Sequence, residues 1–214
     1  MSRNNASAPD RGQTLYAGNV IDTNNLKGLN LEGQTKEFED IDWTNPESAK
    51  PSRSARKVRC MLVRNFSGVT LYGKRLVTLN PQTNRITGYA VTLAQEAFPL
   101  DEFLGTNGVP HGDLCWVVVS GPAIVRTLMT GQTANIAQGD LIVAATVNAA
   151  STAAGTTGTP GRPDSINLSA LTTAAQGYSV VQHARNAWTA LSAATTGQTN
   201  TDLLVDVARP LNMV

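Results

Sequence analysis

Apolar residues along this chain fall into short runs broken by glycine, proline and asparagine, and two runs open alike. Gly112-Asp113 leads into Leu114-Cys115-Trp116-Val117-Val118-Val119. Gly139-Asp140, 27 positions later, leads into Leu141-Ile142-Val143-Ala144-Ala145. Glycine tolerates φ > 0 and aspartate bonds its own backbone, so each pair predicts a tight corner. The β-branched and aromatic residues that follow suit a pleated surface. Further strands are predicted over Val58–Asn65, Val69–Tyr72, Leu76–Leu79, Arg85–Val91, Pro122–Leu128 and Asp202–Ala208. Gly121-Pro122 reads as a corner. Tyr178–Ala184 and Trp188–Leu191 read as a hairpin, and Thr92–Phe98 as one or two helical turns. About ten short strands with no long amphipathic helix between them predict an all-β fold, a small jelly-roll-like barrel or sandwich.

Residues 1–57 lack that rhythm. Residues 1–14 are polar, and the apolar residues of 15–57 keep no helical or strand period. They predict an extended N-terminal arm ahead of a β-domain over 58–214. The anchors Leu15, Tyr16, Phe38, Ile41 and Trp43 are its candidate contacts with the body, a second subunit or a partner. Lys50, Arg53, Arg56, Lys57 and Arg59 form a basic linker without an acid. Such a run can hold phosphates, but no aromatics are interleaved for base stacking. A solvated or lattice-facing linker is the plainer expectation.

Charged residues make up only 15% of the chain, against a usual ~25%. Thr, Ala, Asn, Gln, Ser and Gly fill the deficit and give a neutral, hydroxyl-rich surface suited to packing on protein. The net charge of +1 argues against a dedicated nucleic-acid binder. Residues 1–75 carry +4 and residues 76–214 carry −3, an asymmetry that favours head-to-flank association. No apolar run is long enough to span a membrane, and the polar N-terminus predicts a protein made in the cytosol.

Catalytic motifs are missing. His111 and His183 are the only histidines and Cys60 and Cys115 the only cysteines, with no metal-ligand spacing among them. Both thiols are expected to be buried as small apolar groups. Gly-x-Ser-x-Gly, phosphate-binding glycine loops and His-Glu-x-x-His do not occur. The expectation is a non-enzymatic protein with no cofactor and no metal. Residues 148–165, rich in Ala, Ser, Thr and Gly, predict a long surface loop.

The cadence of residues 108–210 is that of a family. His111-Gly112-Asp113-Leu114, Gly121-Pro122-Ala123-Ile124-Val125, Gln138-Gly139-Asp140-Leu141, Val180-Val181-Gln182-His183-Ala184 and Leu203-Leu204-Val205-Asp206-Val207 follow one another in order. The series resembles the capsid cement, or head decoration, proteins of tailed bacteriophages. That resemblance implies a virion protein on the outer capsid surface, met in the host cytoplasm during assembly. Its partners would be the major capsid protein and itself, as a homotrimer, and it would brace the head against DNA pressure. Two other readings stand beside it: a carbohydrate- or receptor-binding β-module of a phage particle using loop 148–165, and a nucleic-acid-binding barrel using residues 50–59.

Overall fold

The computed structural model describes residues 10–14, 31–41, 52–90, 96–127, 135–144, 163–166, 188–195, 197–198 and 201–207. Leu15, Tyr16, Trp43, Lys50, His183, the Tyr178–Ala184 strand and most of loop 148–165 lie outside the described residues.

The described elements are all strands: β1 (Thr35–Ile41), β2 (Ser52–Asn65), β3 (Leu76–Leu79), β4 (Arg85–Tyr89), β5 (Ala97–Pro99), β6 (Leu114–Thr127), β7 (Leu141–Ala144), β8 (Pro163–Ile166), β9 (Trp188–Ala190) and β10 (Thr201–Val207). They form one sheet in the order β5-β3-β4-β2-β6-β10-β9-β7-β8, with β1 added along β2. The chain is all-β in these parts. Ala97 and Phe98, expected at the end of a helical turn, instead open strand β5 and are buried against the core. Residues 69–72 form no strand, and only the isolated bridge Leu71↔Val109 joins them to a neighbour. The end of the expected 148–165 loop enters strand β8, paired with β7.

The expected division at residue 57 falls inside β2, which runs unbroken for 14 residues. β1 pairs antiparallel with it, from Thr35↔Met61 to Ile41↔Ser52. Residues 35–41 and 52–57 of the expected arm are therefore sheet. Phe38 shows why: its ring meets the buried Trp116 edge-on, centroids 5.3 Å apart, a contact worth about 0.5–1.5 kcal/mol beyond the area it covers. Ile41, the other described anchor, closes the β1–β2 ladder.

β2 and β6 make a wall with a core on each side. Val58, Cys60 and Leu62 face one core with Leu114, Trp116 and Val118, joined there by Trp188, Leu203 and Val205. Met61 and Val63 face the other with Cys115, Val117 and Val119, joined by Leu71, Ile86, Phe98 and Leu100. Two-sided burial explains why residues 60–63 of β2 and 114–119 of β6 read as continuous apolar runs rather than alternating ones.

Gly121-Pro122, expected as a corner between two strands, lies within the single strand β6. The register slips there: Ser120 opposes Arg59 while Val118 opposes Cys60, so Val119 is an extra residue, a β-bulge. The inward parity changes with it, from Leu114, Trp116 and Val118 to Ala123 and Val125 in the same core. Gly121 has φ +99°, and a Cβ there would sit 2.5 Å from the Lys57 carbonyl oxygen of β2. The bulge thus needs glycine for both conformation and space.

Both Gly-Asp corners are as expected. Gly112 and Gly139 have φ +95° and +93°. The Asp113 N–H donates to Pro110 O and the Asp140 N–H to Ala137 O, closing four-residue turns with glycine third. Asp140 adds a carboxylate cap, accepting from Ala137 N–H at 2.8 Å.

Candidate functional site

The sharpest departure from an ordinary surface is the loop between β2 and β3. Its large side chains Phe66, Val69 and Tyr72 are 57%, 55% and 45% exposed, and no other described residue is a large exposed hydrophobic. Scattered single apolar residues are normal on surfaces, whereas three on one seven-residue stretch are not.

The loop is built around a buried asparagine. Asn65 ends β2 and is wholly shielded from solvent. Its amide nitrogen donates to Val69 O and Val109 O, each at 2.8 Å. Its amide oxygen accepts from the Ser67 N–H at 3.0 Å and the Ser67 hydroxyl at 2.7 Å. All of the side chain's bonding capacity goes into holding the loop. Phe66 N–H donates to Ile86 O, and Leu71 exchanges two backbone hydrogen bonds with Val109. Gly68 N–H donates to Nδ1 of His111, which leaves the imidazole proton on Nε2. His111, one of the two histidines, therefore works as a brace, and its ring also packs on Phe66 with centroids 5.3 Å apart.

Cations frame the exposed rings. The Arg85 guanidinium lies 5.4 Å from the Phe66 centroid, and Arg75 lies 5.2 Å from Tyr89 and 6.0 Å from Tyr72. Tyr72 N–H donates to the Tyr89 hydroxyl at 2.8 Å. Burial pushes the Tyr89 hydroxyl pKa up, against the opposing pull of the Tyr72 amide and Arg75. Arg85 shares the Glu32 carboxylate with Arg64. Arg75 has no carboxylate partner among the described residues, and every other described lysine and arginine has one.

The basic run is placed elsewhere, and it is neutralised. Arg53, Arg56, Lys57 and Arg59 lie in β2 rather than in a linker. Arg53 binds buried Asp40 at 2.5 Å and Glu102 at 3.1 Å. Burial works against the Arg53 charge, and the two carboxylates outweigh it, so its pKa is raised. Arg56 makes a two-pronged pair with Asp206, at 2.7 and 2.9 Å, and that bonding raises its pKa too. Glu37 takes both Arg59 and Lys57 across the β1–β2 ladder, and the Arg59 hydrogen bond holds its carboxyl below the usual range. A phosphate arriving here would have to displace these acids.

A second buried ionic cluster ties the chain's start to the body. Asp101 accepts from Arg11 Nε at 3.1 Å and from Gly12 N–H at 2.6 Å, while the Arg11 guanidinium rests 4.4 Å over the Phe103 ring. Its neighbour Glu102 accepts from the Ile124 N–H of β6. Asp101 and Glu102 are the hub on which three distant segments meet, through Arg11, Arg53 and Ile124. No group of three His, Cys, Asp or Glu side chains among the described residues is placed to hold a metal.

The structure thus brings together Gly112, Asp113 and His111 with loop 65–75, and it leaves Gly139 and Asp140 at the second corner by β9. Phe38 and Ile41 belong to the sheet. The sequence reads Asn65-Phe66-Ser67-Gly68 as a turn, and the chain does turn there; what the sequence did not single out is the exposure of Phe66, Val69 and Tyr72 and the buried support beneath them.

Comparison with protein-family models, with curated proteins and with solved structures finds no match to this chain.

Proposed function

We propose that this chain is a non-enzymatic structural protein of a phage virion. It binds the outside of the major capsid protein lattice as a homotrimer and braces the head against internal DNA pressure. The order of the Gly-Asp corners and strands over residues 108–210 supports this reading, because it resembles head decoration proteins. The surface supports it as well: charges are few, and among the described residues every lysine and arginine but Arg75 has a carboxylate partner, so shape and apolar area would carry most of the contact with a neighbour.

The observation that carries the proposal is the pinned loop along which Phe66, Val69 and Tyr72 are exposed. Aromatic anchors held rigid before binding lose little entropy on docking. Many weak copies on a lattice add up to firm attachment.

The test uses heads of the encoding phage assembled without this gene. Purified protein added to them is expected to bind to a saturating, symmetric occupancy and to raise the temperature at which the heads release DNA. Heads that stay bare at micromolar protein would refute the reading. Light scattering of the free protein checks the trimer.

A further inference from the structure

The same loop carries a mark of what it recognises. We propose that residues 65–75 form a docking site for an acidic, apolar-bearing segment of the shell protein. Phe66, Val69 and Tyr72 would cover its apolar residues, and Arg75 would take its carboxylate. This inference rests on the proposed function above and names the contact within it.

Charge complementarity fixes the sign of the partner. Arg75 is half-buried between Tyr72 and Tyr89 and alone among the described cations lacks an acid. A guanidinium flanked by rings is weakly hydrated, and its planar fork matches a carboxylate. Around it, Arg64 and Arg85 share one acid, Glu32, while Lys74 and Arg126 share another, Asp202. The loop face therefore keeps a positive surplus in a molecule that is otherwise close to neutral. An acidic segment meets that surplus without displacing any existing pair.

The apolar half of the site is equally specific. Asn65 and His111 hold the loop from below, so Phe66 and Val69 are presented without a search for conformation. Exposed aromatics beside arginine also suit single-stranded nucleic acid. Protein is favoured because the cations around the loop other than Arg75 are already paired, which leaves no continuous track for a phosphate backbone.

Four proteins would be compared on the heads described above: wild type, Phe66→Ser, Arg75→Glu and Arg75→Lys. Each substitution lies on an exposed or half-exposed side chain, and thermal melts confirm that the variants fold. Phe66→Ser and Arg75→Glu are each expected to weaken occupancy about tenfold or more, as loss of a central anchor does. Arg75→Lys is expected to recover part of the loss, and wild-type binding to weaken as salt rises. Wild-type binding with all variants unchanged would overturn this site while leaving the capsid reading intact. Failure of wild type to bind would overturn both. Binding of a labelled thymidine 20-mer at low salt, lost in Phe66→Ser, would assign the loop to nucleic acid and overturn the inference.

Discussion

Asn65 and Ala190 perform the same backbone exchange at two distant corners. Asn65 O accepts from Gly112 N–H and its N–H donates to Asp113 O; Ala190 O accepts from Gly139 N–H and its N–H donates to Asp140 O. Just before each corner a buried residue makes an isolated bridge, Val109 to Leu71 and Ile136 to Ala194. The repeated Gly-Asp therefore marks one local arrangement used twice. A Cβ at Gly112 or Gly139 meets nothing within 4 Å, so only the left-handed backbone resists substitution. Gly112→Ala and Gly139→Ala should each cost about 1–2 kcal/mol in denaturant melts. Gly121→Ala adds the clash with Lys57 O and should cost clearly more. Equal losses at all three positions would contradict the bulge geometry.

Removing the pin under the loop should be expensive. Asn65→Ala removes four hydrogen bonds at once, although Val109 O keeps the Leu71 N–H and Val69 O keeps the Ser67 hydroxyl, so a loss of roughly 1–3 kcal/mol in all is expected. Hydrogen exchange at Ser67 and Gly68 should quicken well beyond the change in global stability. Unaltered exchange there would mean that the backbone holds the loop without Asn65.

Arg53 stands between two buried carboxylates, Asp40 and Glu102. Arg53→Met should destabilise by about 3–5 kcal/mol at neutral pH, because both acids lose their counter-charge. Arg53→Lys keeps the charge without the planar fork and should lose less than Arg53→Met in denaturant melts. Equal losses for the two variants would point to lost packing instead.

The thiols should be inert in the folded protein. Cys60 and Cys115 lie on adjacent strands but face opposite cores, so they cannot join in a disulfide. Burial pushes the Cys60 pKa to about 12 and raises that of Cys115 further. At pH 8 a thiol reagent should label neither residue until denaturant is added, and then both. Fast labelling of one thiol in the native protein would show that its side of the wall opens.

Asp202 gives a handle on acid stability. Burial works against its charge, and hydrogen bonds from Arg126 and Lys74 outweigh burial, so its pKa is lowered. A depressed folded pKa means the contribution is full above the unfolded value and is lost as pH falls through the folded one. Asp202→Asn should therefore melt lower than wild type at pH 7, with the gap closing in the acid range below about 4. A gap that persists at low pH would show that the side chain matters for shape rather than charge.

What could be read from sequence followed distance along the chain. The Gly-Asp corners and strands such as Leu76–Leu79 were legible because their signals lie within a few adjacent residues. Gly121-Pro122 misled because the same dipeptide that marks a turn also suits a bulge, and only the register against β2 separates the two. Arg56 looked solvated because its acid, Asp206, lies 150 positions away. Asn65 looked like an ordinary turn residue because Val109, which makes it a pin, is 44 positions away. Of the candidate site, the turn was visible in sequence, while its support and the surplus charge of Arg75 were products of the tertiary fold.

The wall of β2 and β6 also sets the order in which the molecule can form. Neither core can close until residues near 60 find residues near 117, since those strands line both. Closing so wide a loop costs entropy before any burial repays it, which predicts slow folding. Once closed, the two cores share that hydrogen-bonded pair, and neither can melt while the other stays intact. A protein built this way would resist mechanical load as one unit, failing all at once rather than fraying from an edge.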